Sequence, residues 1–393
     1  MPTAADPPIA YLDHAASTPM RPEAIAAVHE VLEAVPGNPS GQHRAAREAR
    51  RRLDDARDQV AAAVGCTPGE VVFTSGGTEA DDLAVLGVVA ATGGRALCLA
   101  TDHHAAIEPV RAVDGQVVDL AGPGRWPSVA SLAAALAGGP ASVVSVAAVN
   151  NEVGVVERLD EVADVVRACP GAVLHVDAVA AAGWLDLRDL WPHADLLSLS
   201  GHKVGGPKGI GALVVRSGTL LAPLVRGGAQ ERGRRGGTPN LPGAVGMGVA
   251  LAAADADRPA TAARVAALRD RLRAGLLAEM GDAVAEVVPP GDGVALAPHL
   301  VHLCCRSVHR DALLFRLDEQ GIAASAGSSC ASGAAEPSHV VGALGVAPDL
   351  RDGALRLSLG WTTTGADVDR ALAVVPAAVR DLQGTAGSGA VRS

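Results

Sequence analysis

Apolar positions along the chain come in two spacings. Continuous runs rich in valine and leucine read as buried strands at residues 71–73, 96–100, 142–149, 172–177, 195–200 and 210–215. Between them apolar residues recur at helical spacing: Ile25, Val28, Leu32 and Val35 over 23–35, then Leu53, Val60 and Val64 over 44–64, and a further helix over 159–168. In the helix over 44–64 the many charges read as a solvated face. Strands alternating with helices are the pattern of an α/β protein with a doubly wound, mostly parallel sheet. From about Asp257 the pattern changes to a helix over 261–280, strands near 284–288 and 300–304, a helix over 311–320 and an alternating strand over 353–360. That change predicts a smaller α+β domain. The expected organisation is a large domain over 15–256, a small domain over 1–14 and 257–383, and a small, polar, fraying tail over 384–393.

In an open parallel sheet, ligands bind beyond the carboxyl ends of the strands. Gly76, Gly77 and Thr78, then His103, Asn151, Asp177 and Lys203, each follow a predicted strand, so the topology brings them to one edge. Each has a plain explanation taken alone. A Gly-Gly-Thr turn can simply cap a helix, a histidine after a strand is commonly a cap or a surface residue, and lysines are mostly solvated. Together they match one ligand. A glycine turn opening a helix suits a phosphate, a buried aspartate suits a ring nitrogen, and a lysine amine condenses with a carbonyl. Pyridoxal phosphate has all three features.

Composition sharpens this picture. Among 33 Lys+Arg in 393 residues the only lysines are Lys203 and Lys208, so a lysine here answers a need that arginine, which stays charged, cannot meet. Lys208, between Pro207 and Gly209, reads as a solvated residue. A hydrophobic share of 49% with 19% charged residues marks a globular chain. With 2% aromatics, stacking platforms for single-stranded nucleic acid are nearly absent, and a net charge of −10 argues against nucleic acid or an anionic membrane as partner. No apolar run approaches the roughly 20 residues of a membrane span, the start of the chain lacks a secretory pattern, and the cysteines show no zinc-ligand spacing. A reducing cytoplasm is the expected compartment.

Of the six cysteines, Cys98 and Cys304 sit in apolar strands, whereas Cys330 lies among small polar residues and reads as an accessible thiol, harmless or nucleophilic. Arg356 interrupts the apolar face of an alternating strand; it needs an anion, either an internal carboxylate or a substrate's. Asn38, in Pro36-Gly-Asn-Pro39, reads first as a turn former. The Gly/Arg segment over 226–239, with Thr238 near its end, suits a solvated linker, a phosphate contact or a subunit contact.

In order along the chain, Tyr-Leu-Asp-His-Ala-Ala, Gly-Asn-Pro-Ser, Phe-Thr-Ser-Gly-Gly-Thr-Glu, Asn-Asn-Glu-Val-Gly, His-Val-Asp-Ala, Ser-Gly-His-Lys, Gly-Ser-Ser-Cys and Arg-Leu-Ser-Leu-Gly resemble the motifs of the cysteine desulfurases, fold-type I pyridoxal-phosphate enzymes of the class V aminotransferase family. The resemblance spans essentially the whole chain. It implies a large domain with a mostly parallel seven-stranded sheet flanked by helices. It implies that Lys203 forms the Schiff base and moves protons at the substrate's α-carbon, that His103 stacks on the ring and assists, and that Asp177 pairs with the ring nitrogen. Gly77, Thr78, Ser200 and His202 would hold the phosphate, and Thr238 would reach it from the other subunit of a homodimer. Asn38, Asn151 and Arg356 match positions that meet the cofactor oxygen or the substrate carboxylate. Cys330, as thiolate, would take sulfur from L-cysteine as a persulfide, releasing alanine and passing the sulfur to acceptors such as iron–sulfur cluster scaffolds or tRNA-thiolation proteins.

One position departs from the family pattern. Three residues after Asp177 the family usually has a glutamine that bonds the cofactor's phenolic oxygen, and here Ala180 stands there. One lost hydrogen bond is worth on the order of 1–3 kcal/mol at most. The competing expectations are selenocysteine lyase or another class V enzyme, and a non-catalytic partner in sulfur transfer.

Overall fold

The computed structural model describes residues 9–120, 126, 129–291, 293–327 and 338–389. Its central sheet has seven strands in the spatial order Val71–Thr74, Gly211–Val215, Leu196–Ser200, Val173–Asp177, Val143–Ala147, Ala96–Leu99 and Gln116–Val118. All run parallel except Gly211–Val215, which is antiparallel to both neighbours. Chain length explains the exception. Residues 201–210 alone connect it to the preceding strand, and a parallel return needs a crossover of about a dozen residues or more. The six predicted runs all lie in this sheet. The seventh strand, Gln116–Val118, is a short edge strand whose Gln116 is exposed, too brief and too polar to stand out in the sequence.

Helices cover both faces, so most strands are buried throughout and show continuous apolar runs. Helices Pro22–Ala34 and Arg44–Val64 pack on the first half of a long helix, Leu241–Met280. That helix crosses the expected boundary at 256/257 and begins well before the expected helix start at Thr261. It runs unbroken past Pro259, and it serves both cores: Leu241, Met247 and Leu251 belong to the larger, Val265, Leu272 and Leu276 to the smaller. Its first half is built of alanine and glycine, which blurs the helical period, and the proline removes only one backbone donor.

The smaller part centres on an antiparallel sheet in the order Val284–Glu286, Leu300–Cys305, Ala354–Ser358. The N-terminal strand Ala10–Tyr11 joins this part by pairing with Ile322–Ala323. At the far end, helix Gly365–Gly389 continues past residue 384, where fraying was expected. Among the described residues no helix is long and apolar enough to cross a membrane.

Candidate active site

The register of the parallel strands sets out the floor of the site. Ser145 lies beside His175, Ala147 beside Asp177, and Asp177 beside Ser198. Because side chains alternate between faces, His175 and Asp177 share one face of their strand. Helix Gly77–Thr92 packs on these strands. No side chain caps its start, and a Cβ on Gly77 would stand 2.8 Å from Val179 Cγ2, so glycine lets the first turn approach the strand ends with its N–H groups open.

A cavity of about 300 Å³ opens there. Its lining brings together nine of the residues singled out in the sequence: Gly77, Thr78, His103, Asn151, Asp177, Ser200, His202, Lys203 and Arg356. Lys203 ends a 3-10 turn, Gly201–Lys203, that follows the strand Leu196–Ser200. Its Nζ donates to the carbonyl oxygens of Ala15 and, at 3.1 Å, Ala16. His103 caps helix His104–Ala112, its Nδ1 accepting the Ala105 N–H at 3.0 Å. That bond leaves Nε2 to carry the ring proton. Burial, with Lys203 nearby, pushes the His103 pKa down to about 4, and burial with Lys203 and Lys208 does the same for His202. Both imidazoles are neutral at pH 7. Burial raises the Asp177 pKa, while the Val179 N–H, 2.9 Å from Oδ1, and the Lys203 charge oppose the rise.

Of the adjacent asparagines, Asn150 is structural: Nδ2 donates to the Thr101 carbonyl and Oδ1 accepts from Glu152 and Val153. Asn151 faces the cavity instead. Arg356 is 1% exposed and has an internal carboxylate for a partner. It pairs with Asp13 at 2.9 Å and donates to the Asn151 and Gly327 carbonyls, yet it lines the cavity and its Nε has no hydrogen-bond partner.

Two expected residues lie away from this constellation within one chain. Asn38 is exposed, with its Oδ1 accepting the Ser40 N–H at 2.9 Å, the turn-forming role. Thr238 is exposed and away from the lining. Cys330 lies outside the described residues. The Gly/Arg segment is anchored at two points, where Glu231 forms a two-bond pair with buried Arg57 and Arg235 pairs with Glu79, while residues 226–229, 232, 233, 237 and 238 are exposed. Sequence reading passed over Asp81, Ala15 and Ala16, which also line the cavity. Asp81 had a signal, a charged residue on the buried stripe of its helix with Ala80, Ala84 and Val88.

The residues fit pyridoxal phosphate. An uncapped helix start with Ser200 and His202 beside it suits a phosphate; buried Asp177 suits a protonated ring nitrogen; Lys203 suits the aldehyde; and the volume suits a small aromatic ring. Ala180 also lines the cavity and supplies no side-chain donor there.

Comparison with known proteins agrees. The aminotransferase class-V family model matches residues 10–371. An IscS-like cysteine desulfurase of Mycobacterium tuberculosis is 41% identical, over 94% of this chain and 96% of its own length. A cysteine desulfurase of Gluconacetobacter diazotrophicus is 38% identical, over 95% and 94%. The X-ray structure of a NifS-like protein from Rickettsia africae superposes with a TM-score of 0.85 at 26% identity, covering 95% of this chain and 99% of that one. The chain is a fold-type I pyridoxal-phosphate enzyme that belongs to the class V aminotransferase family, among its cysteine desulfurases.

Proposed function

We propose that this enzyme takes sulfur from L-cysteine and releases L-alanine, with the sulfur carried as a persulfide on Cys330 and handed to a protein acceptor. The observation that carries the reading is the meeting, in one cavity, of the Lys203 amine, the Asp177 carboxylate and the Arg356 guanidinium. Pyridoxal phosphate, when bound, supplies an aldehyde and an electron sink. The chain supplies the rest. Lys203 takes the proton from the substrate α-carbon and returns one to the product. Asp177 would hold the ring nitrogen protonated, His103 would cover the ring and relay protons through Nε2, and Gly77, Thr78, Ser200 and His202 would bind the phosphate. Arg356 and Asn151 orient the substrate, Arg356 offering the carboxylate its unpaired Nε.

The sulfur step balances without an outside oxidant. The Cys330 thiolate attacks the substrate sulfur, the carbon–sulfur bond breaks, and cysteine plus an enzyme thiol become alanine plus an enzyme persulfide. Thr238, exposed in one chain, is assigned to the partner's phosphate across a homodimer, and Asn38 to the cofactor oxygen or the substrate carboxylate. The acceptors are iron–sulfur cluster scaffolds or tRNA-thiolation proteins, and the compartment is the cytoplasm.

The test is sulfide and alanine release from L-cysteine with a reductant, by wild type and Cys330→Ala. Equal amounts from the wild type, and no sulfide from a Cys330→Ala protein that still binds the cofactor, are expected. Retained turnover in the variant would sink the persulfide assignment. Ala180 motivates a second reading, action on a related amino acid such as selenocysteine. A higher rate with selenocysteine than with cysteine, shifted toward cysteine by Ala180→Gln, would favour it.

A further inference from the structure

Asp81 lines the same cavity as Asp177 and has no task in the chemistry above. It sits one turn into helix Gly77–Thr92, on the side that packs against the strands, and is 1% exposed. Among the described residues its Oδ1 has no hydrogen-bond partner, and it lies 3.4 Å from His175 Nε2.

His175 cannot serve as a counter-ion. It is fully buried, burial holds its pKa at about 3, and each ring nitrogen already meets a hydroxyl: Nδ1 with Ser145 Oγ and Nε2 with Ser198 Oγ, both at 2.8 Å. A neutral imidazole has a single N–H. With that hydrogen on Nε2, Ser145 donates to Nδ1, Ser198 accepts from Nε2, and the Ser198 hydrogen is left for Asp81. The chain Ser145–His175–Ser198 thus brings Asp81 a hydrogen bond and no charge.

The charged groups around it are of the wrong sign. Asp177, Asp82 and Asp102 all act on Asp81 as like charges. Lys203 and His103 share the cavity, but His103 is neutral and the Lys203 charge acts on Asp177. A second buried carboxylate beside Asp177 would be an anion without a cation, and such a group takes up a proton instead. Burial and Asp177 push Asp81 the same way, outweighing the Ser198 contact.

We propose that Asp81 is a positioning residue held as a neutral acid, so that the Asp81–Asp177 pair carries one negative charge and that charge stays on Asp177, opposite the cofactor's ring nitrogen. The pairing of Asp177 with the ring rests on the desulfurase reading; the protonation of Asp81 does not. Two carboxylates that cannot both ionise act as a unit. Here the Val179 N–H favours the charge on Asp177, and the burial of Asp81 beside that charge outweighs the Ser198 hydrogen bond that would favour ionisation of Asp81.

Infrared difference spectroscopy of the cofactor-free protein at neutral pH, wild type minus Asp81→Asn, tests this. A protonated-carboxyl band lost in the variant is expected, and its absence from the difference spectrum would overturn the proposal. In the loaded protein, the pH titration of the cofactor's visible band gives an independent readout. Asn keeps the pair's charge, so Asp81→Asn should leave the midpoint within about one pH unit of wild type, whereas Asp177→Asn should move it further. A shift in Asp81→Asn as large as in Asp177→Asn would mean that Asp81 is ionised and would also overturn the proposal. Should Asp81→Asn fail to fold, Asp81→Ala serves for both measurements. Wild type that shows the band but releases no sulfide would refute the desulfurase reading and leave this one standing.

Discussion

At His103, acid–base behaviour follows from where the ring is anchored. Held at a helix start by the Ala105 N–H and buried against Lys203, it keeps a pKa near about 4. The unfolded value is about 6.5, so the unfolded chain binds the proton first as pH falls. His103 therefore favours the folded state fully above about pH 6.5, and that contribution is lost as pH falls toward 4. Ring-proton resonances of the cofactor-free protein should titrate well below pH 6; a midpoint above 6 would overturn the assignment of a neutral imidazole. Lys203→Ala should abolish the visible absorbance of a lysine-bound cofactor and lower sulfide release by on the order of 10³-fold. Absorbance retained in that variant would place the covalent link elsewhere. Residue identities at the strand ends were legible because the sheet topology itself predicts where they meet. Asn38 and Thr238, assigned by resemblance alone, follow no predicted strand, and both are exposed outside the cavity lining in one chain. Asp81 was missed because its role depends on neighbours from three strands, none of them near it in sequence.

Elements that look dispensable in the sequence are tied to the sheet. The Gly/Arg segment read as a flexible loop, yet Glu231 adopts φ 47° and accepts from Arg57 and from the Phe73 N–H. Both side chains of the pair are buried, so removing one strands the other without a partner. Glu231→Ala should lower the unfolding free energy by about 3–5 kcal/mol. Equilibrium urea unfolding checks this, and Arg57→Ala combined with it should cost less than the sum of the two. A loss under about 1 kcal/mol for Glu231→Ala would mean that the loop is held by other contacts. No composition rule exposes such a pair, because glutamate and arginine in a glycine-rich stretch are normally solvated.

Across the whole molecule, the helix Leu241–Met280 runs through two cores and is expected to couple them. The change of pattern near Asp257 correctly signals a new set of strands, but it falls inside a continuous helix, so pattern and covalent continuity disagree. Trp191 packs with the larger core and Trp184 with the smaller, which gives each its own reporter. Single-tryptophan variants of the cofactor-free protein should show coincident unfolding midpoints by fluorescence and by far-ultraviolet circular dichroism. Separated midpoints would mean that the shared helix does not couple the cores.

The scarcity of lysine has a practical consequence at this scale. Lys203 lines the cavity, and Lys208 is exposed in an adjoining hollow that shares Gly77, Thr78, Ser200 and His202 with it. Isotope enrichment confined to lysine would yield two side-chain signals from a 39.3 kDa chain, one from the cavity and one from the hollow beside it. Each step of ligand entry, covalent capture and release could then be followed in solution without assigning any other resonance.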